Sequence, residues 1–183
     1  MNDRFFLDTN IFVYSFERGA KAQRAAQLVR QGIATHKAIV SYQVVQEFFN
    51  VALRRFQHPM TAMEAEQYLS AVFRPLLSVH SSPALYAQAL RLHAQHRLSW
   101  YDALIVAAAI EGQCGTLYSE DLHHGQRFGE MTIVNPFLAE ERITGSGLRS
   151  QSSRKRKRRP IRRIAASHGE KHQRRSHEPL PLF

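Results

Sequence analysis

Apolar positions follow two rhythms along this chain. Short, mostly apolar runs at 4–7, 38–40, 76–79, 116–118 and 131–134 have the length and bounding residues of buried strands. Between them, longer stretches repeat apolar residues at three- and four-residue spacing, as helices do. One runs over 21–33 through Ala22, Ala25, Ala26, Leu28, Val29 and Ile33. A second runs from Ser41, read as its cap, to about Phe56, with a stripe at Val45, Phe48, Phe49, Ala52, Leu53 and Phe56, and Pro59 ends it. A third opens on Thr61 with Glu64, a capping-box pattern, and extends to about Phe73. A fourth opens on Ser82-Pro83 and passes through Leu85, Ala89, Leu90 and Leu92. The fifth opens on Ser99, spans 100–111 and stops at Gly112. Strands alternating with helices predict a parallel sheet flanked by helices.

This arrangement gives four acidic residues a common address. Asp8 closes Phe5-Phe6-Leu7, Glu47 lies early in the second helix, Asp102 opens the fifth, and Asp121 follows the run at 116–118. In a parallel α/β sheet the strand carboxyl ends and helix amino ends share one edge, where ligands bind. Four carboxylates gathered there repel one another unless a divalent cation holds them. The pattern therefore reads as a metal site suited to phosphate chemistry.

Each acid also has a plainer reading. Asp8 suits a turn, because Asp and Asn favour strand ends, yet the wholly apolar run before it points Asp8-Thr9-Asn10 out of the core at one edge. Glu47 reads as a solvated flank residue or as a half-buried, paired one. Asp102 with Ser99 fits a Ser-x-x-Asp cap, and the helix dipole favours an acid there. Glu120 and Asp121 together are ordinary loop residues, and equally what a second ion would need.

Composition narrows the class. The 183 residues suit one domain with an appendage, and 44% hydrophobic content suffices for a core. No leader is expected at the N-terminus, and the longest apolar run, 103–110, is far short of the roughly 20 residues of a membrane span. Cys114 is the only cysteine, which excludes an internal disulfide and a Cys-based zinc site and fits a reducing cytosol. The net charge of +10 is localised. Residues 144–183 hold 12 Lys and Arg against 2 Asp and Glu, leaving 13 of each sign in 1–143. The division predicts two units, a neutral domain over 1–143 and a basic, disordered tail over 144–183.

Taken together, Phe-Leu-Asp8-Thr-Asn10, Gln46-Glu47-Phe-Phe-Asn50-Val, Trp100-Tyr-Asp102-Ala-Leu-Ile and Tyr118-Ser119-Glu-Asp121-Leu resemble the PIN-domain ribonucleases, and most of all the VapC-type toxins of bacterial toxin–antitoxin pairs. Leu122-His-His-Gly125-Gln and Val134-Asn-Pro-Phe137 are similar to one branch of that family, and the resemblance extends over about 5–137. It implies a three-layer α/β/α domain with a central, mostly parallel sheet. It implies Mg2+ or Mn2+ held by Asp8, Glu47, Asp102 and Asp121, with Asn10 and Ser119 in support and Glu120 assisting Asp121. It further implies hydrolysis of RNA phosphodiesters to 5′-phosphate and 3′-hydroxyl ends, a cognate antitoxin and an assembly that can be a homodimer, while the lone cysteine and the short apolar runs lead us to expect a cytoplasmic location and no membrane.

The residues agree with that cofactor, since carboxylate oxygens are hard ligands and no soft cluster offers a zinc site. His123-His124 reads as a loop pair, since no H-E-x-x-H spacing is present. Two other functions stay open. A phosphatase with Asp8 as nucleophile would need an acid where Asn10 stands. A non-catalytic RNA-binding module would act through the tail alone, where Arg154, Lys155, Arg156, Lys157, Arg158, Arg159, Arg162 and Arg163 cluster. The tail also reads as a solvated extension without a role.

Overall fold

Phe5, Phe6 and Leu7 form β1 (Phe5–Leu7), the strand from which the architecture grows, and all three are buried. An unbroken apolar strand needs cover on both faces, and therefore a parallel sheet with helical crossovers. In the computed structural model, which describes residues 3–138, β1 pairs in parallel with β2 (Ala38–Ser41) on one side and β4 (Thr116–Tyr118) on the other. β3 (Leu77–Val79) lies parallel to β2, β6 (Met131–Val134) parallel to β4, and β5 (Arg127–Phe128) antiparallel to β6. The order is β3-β2-β1-β4-β6-β5. The chain proceeds from β1 outward in one direction, then returns to β4 and proceeds in the other. The topological switch point is thus between β1 and β4, and the ligand crevice belongs at their carboxyl ends.

The helices are α1 (Thr9–Tyr14), α2 (Ala20–Thr35), α3 (Tyr42–Ala52), α4 (Ala62–Tyr68), α5 (Arg74–Leu76), α6 (Pro83–His96) and α7 (Trp100–Glu111). Every residue from Ala103 to Ala109 is buried, as an all-round apolar helix must be. α2 approaches β2 so closely that a Cβ at Gly32 would stand 2.3 Å from Ala38 Cβ. An aromatic cluster joins α1 to α3: Phe12, Phe48 and Phe73 are all wholly buried, and Phe48 stacks on Tyr68 at 4.9 Å between centroids.

Most expected elements stand where the pattern put them, and the sheet is the mostly parallel one expected. Five details differ. Residues 9–14, given no helix by the pattern, form α1. The second helix stops at Ala52, before the expected Phe56. The third breaks into a π-helical turn over Leu69–Phe73 before α5, because Pro75 has no N–H to donate and its ring crowds the carbonyl four residues back. β5 was not expected. Ser41 occupies the N-cap of α3, but its hydroxyl makes no capping bond and, buried, has no partner. By contrast, the Thr61–Glu64 capping box and the Ser82 and Ser99 caps are all formed.

Among the described residues no helix is long and apolar enough to cross a membrane. The tail over 144–183, its expected disorder and the boundary at 143 lie outside the described residues.

Candidate active site

Asp8 leaves β1 at the switch point and is the N-cap of α1, with its side chain 0% exposed. A buried carboxylate must be hydrogen-bonded to persist. Its Oδ1 accepts from the Thr9 amide at 2.7 Å. Its Oδ2 accepts from Ser119 Oγ at 2.7 Å and from Asn10 Nδ2 at 3.2 Å. Ser119, also wholly buried, follows β4, so the two central strands meet through these side chains.

Asn10 links this pair to the next acid. Its Nδ2 lies 3.4 Å from Asp121 Oδ2 and 3.5 Å from Ser119 Oγ as well. Three acceptors around one NH2 group fix the amide orientation, since the flipped form would set an oxygen against two carboxylates. The Asn10 Oδ1 that remains is buried and has no partner. Asp121 itself is exposed, at the open side of the group.

Glu47 is half-buried and joins the group through the residue after Asp8: Thr9 Oγ1 donates to Glu47 Oε2 at 2.9 Å. Gln43, one turn earlier on α3, donates to Glu47 Oε1 at 2.7 Å and to the Tyr101 carbonyl at 3.3 Å. Asp102, the next residue, is half-buried in the first turn of α7 and accepts from Ser99 Oγ at 2.7 Å. The cap reading of Asp102 is therefore correct, and it leaves the residue beside the carbonyl that Gln43 holds.

Asp8, Asn10, Ser119 and Asp121 thus form one hydrogen-bonded group, Glu47 is attached through Thr9, and Asp102 adjoins through Tyr101. Among the described residues, no three His, Cys, Asp or Glu side chains close into a ready cation cage. The donor set nonetheless consists of hard oxygens, and the orphaned Asn10 Oδ1 adds another, which fits Mg2+ or Mn2+ better than a soft metal.

Glu120 faces elsewhere. Both its oxygens accept from Lys21 Nζ, at 2.7 and 2.6 Å, and Oε2 accepts from Tyr14 Oη at 2.5 Å. Burial, and then the Glu120 carboxylate, push the Tyr14 hydroxyl well above the usual phenol range. His123 is exposed and His124 Nδ1 accepts from the Asn135 amide at 3.1 Å, in keeping with a loop pair. Sequence reasoning missed Gln43, Lys21 and Tyr14. The i, i+4 spacing of Gln43 and Glu47 was a usable signal.

The match to known families covers residues 5–127, by the PIN domain model. The sequence has no significant match among curated proteins. Among solved structures, a toxin–antitoxin complex from Klebsiella pneumoniae is similar with TM-score 0.53 and 18% identity, over 72% of this chain and 97% of that one. VapBC2 from Rickettsia felis, bound to a promoter DNA fragment, is similar with TM-score 0.53 and 16% identity, over 70% and 96%. FitAcB from Neisseria gonorrhoeae is similar with TM-score 0.50 and 18% identity, over 73% and 99%. The family match spans about two thirds of the sequence, including β1, β4 and all four acids, and the chain belongs to the PIN domain family.

Proposed function

We propose that this protein is a divalent-metal-dependent endoribonuclease and the toxin of a type II toxin–antitoxin pair. The observation that carries the reading is the buried Asp8 at the switch point, bonded to Ser119 and sharing the Asn10 amide with the exposed Asp121. A carboxylate at the carboxyl end of a central strand, beside the switch point, lies where ligands bind in this kind of sheet. The PIN domain match and the neighbours solved as toxin–antitoxin complexes support the biological frame.

In this reading Asp8, Glu47, Asp102 and Asp121 hold Mg2+ or Mn2+. When bound, the ion supplies Lewis-acid polarisation of the phosphate and an acidified water. The chain's own groups do the rest. Thr9 and Gln43 hold both oxygens of Glu47. Ser119 and Asn10 fix Asp8, and Asn10 keeps Asp121 turned inward. Ser99 orients Asp102. The partners are an RNA substrate and a small antitoxin that covers the site. The basic run from Arg154 to Arg163 adds RNA affinity without sequence preference.

The phosphatase alternative would need an acid at position 10, where Asn10 stands and donates its amide to Asp8 and Asp121 instead. The test is cleavage of a mixed RNA pool by the purified protein with Mn2+, with excess EDTA, and by Asp102→Asn. Cleavage by wild type with Mn2+ only is expected. Equal cleavage in EDTA, or by Asp102→Asn, would overturn the reading.

A further inference from the structure

Between Ser119 and Asp121, two residues of the candidate site, Glu120 is engaged by groups outside it. Its carboxylate takes both Lys21 contacts and the Tyr14 hydroxyl. The Lys21 ammonium also stands 3.4 Å from the Tyr14 ring centroid and 5.0 Å from that of Phe137. Tyr14 and Phe137 meet edge to face at 5.4 Å. One cation therefore gathers four segments: the end of α1, the start of α2, the loop after β4 and the chain after β6. With side chains 34% and 30% exposed, Lys21 and Glu120 are not a freely solvated surface pair.

The site needs such a fixture. β1 and α1 hold Asp8 and Asn10 rigidly, but Asp121 stands exposed in a loop after a three-residue strand. Its contact with Asn10 is long at 3.4 Å. A loop that carries a site residue can lose function with displacements near 1 Å. Without Lys21, the half-buried Glu120 carboxylate would keep only the Tyr14 hydroxyl and lose its counter-charge.

We propose that Lys21, Tyr14 and Glu120 form a brace that sets the Ser119–Asp121 loop against α1, making Lys21 and Glu120 positioning residues for the site rather than ligands in it. The proposal rests on the functional reading above, in which Asp121 belongs to the site.

The test compares wild type, Lys21→Met, Lys21→Arg and Asp121→Asn. Hydrogen exchange of the metal-free protein gives the first readout. The Leu122 amide donates to Ser119 Oγ at 3.4 Å and so reports the loop, while Leu117 in β4 reports the sheet. Lys21→Met should speed exchange at Leu122 about tenfold or more, leaving Leu117 unchanged. On the mixed RNA pool with Mn2+, kcat should fall about 10- to 100-fold with KM nearly constant. Lys21→Arg keeps a cation for the Glu120 carboxylate and the Tyr14 ring and should restore both readouts to within a fewfold. Unchanged exchange at Leu122 in Lys21→Met overturns the brace. So does a rise in KM alone, which would mean that Lys21 touches RNA. An Asp121→Asn protein that cleaves like wild type defeats the functional reading of the loop instead, whatever Lys21 does. Where Asp121→Asn is inactive and Lys21→Met is normal, the brace alone fails.

Discussion

Asp8 and Asp121 accept from the same Asn10 amide, at 3.2 and 3.4 Å, yet they live in opposite surroundings. Asp8 is 0% exposed and takes hydrogen bonds from α1 and from the end of β4. Asp121 is exposed on a loop. Burial makes the first carboxylate a property of the fold, since moving it would leave the Thr9 amide and the Ser119 hydroxyl unmatched inside the core. The second sits on the loop after β4, and its place depends on that loop. A site built this way can keep one side fixed while the other adjusts to a cation or a substrate.

The largest expected effect breaks the contrast at its buried side. Asp8→Asn replaces an acceptor-only group by one that must point an NH2 at an existing donor. RNA cleavage should fall by more than the roughly 10- to 100-fold typical of lost outer-shell partners. In metal-free protein, thermal unfolding should show a loss of about 1–3 kcal/mol. Asp121→Asn should reduce cleavage as severely but leave metal-free stability within about 0.5 kcal/mol of wild type, as for exposed substitutions generally. Equal destabilisation by the two variants would erase the distinction.

A cation sharpens the comparison from the other direction. If the four acids hold one, Mn2+ at about 100 times its dissociation constant should stabilise the wild type by about 2.7 kcal/mol in thermal unfolding, reversed by EDTA. Both Asp8→Asn and Asp121→Asn should lose most of that gain. A variant that retains it has not lost a ligand.

Smaller effects are expected at the groups between the two acids. Ser119→Ala removes the 2.7 Å donor to Asp8, and Asn10→Ala removes the shared amide. Each should lower Mn2+ affinity about 10- to 100-fold, measured by calorimetry. Asn10→Ala should have the greater effect, because its amide is shared between the two acids.

The contrast extends to what the sequence disclosed. Asp8 was legible because an unbroken Phe-Phe-Leu run must be buried on both faces, and its polar end must then face the ligand edge. The caps at Thr61, Ser82 and Ser99 were legible because each acts on an amide three residues along. The brace was invisible: Lys21 and Tyr14 meet Glu120 across 99 and 106 residues, and no local pattern encodes such a meeting. β5 was overlooked although Gly129, at φ 61°, marks a two-residue hairpin loop; a two-residue strand shows no alternation. The expected helix to Phe56 ends at Ala52, and Phe56 packs on Phe16 at 5.0 Å from the turn that follows α3.

The smallest effect is expected at Ser41, which breaks the rule the other caps obey. It stands at the N-cap of α3 with extended backbone, φ −98° and ψ 166°, at the carboxyl end of β2. Its residue is 1% exposed, and its hydroxyl neither caps the helix nor bonds elsewhere. An ordinary serine cap is worth about 1 kcal/mol, which Ser99→Ala should lose. Ser41→Ala has no such bond to lose and removes a buried hydroxyl that water would otherwise solvate. It should unfold within about 0.5 kcal/mol of wild type or at higher temperature. A loss matching that of Ser99→Ala would mean that the hydroxyl bonds an α3 amide after all. Wild-type stability with slower cleavage would instead assign Ser41 to the site, since β2 ends at the same sheet edge as β1 and β4.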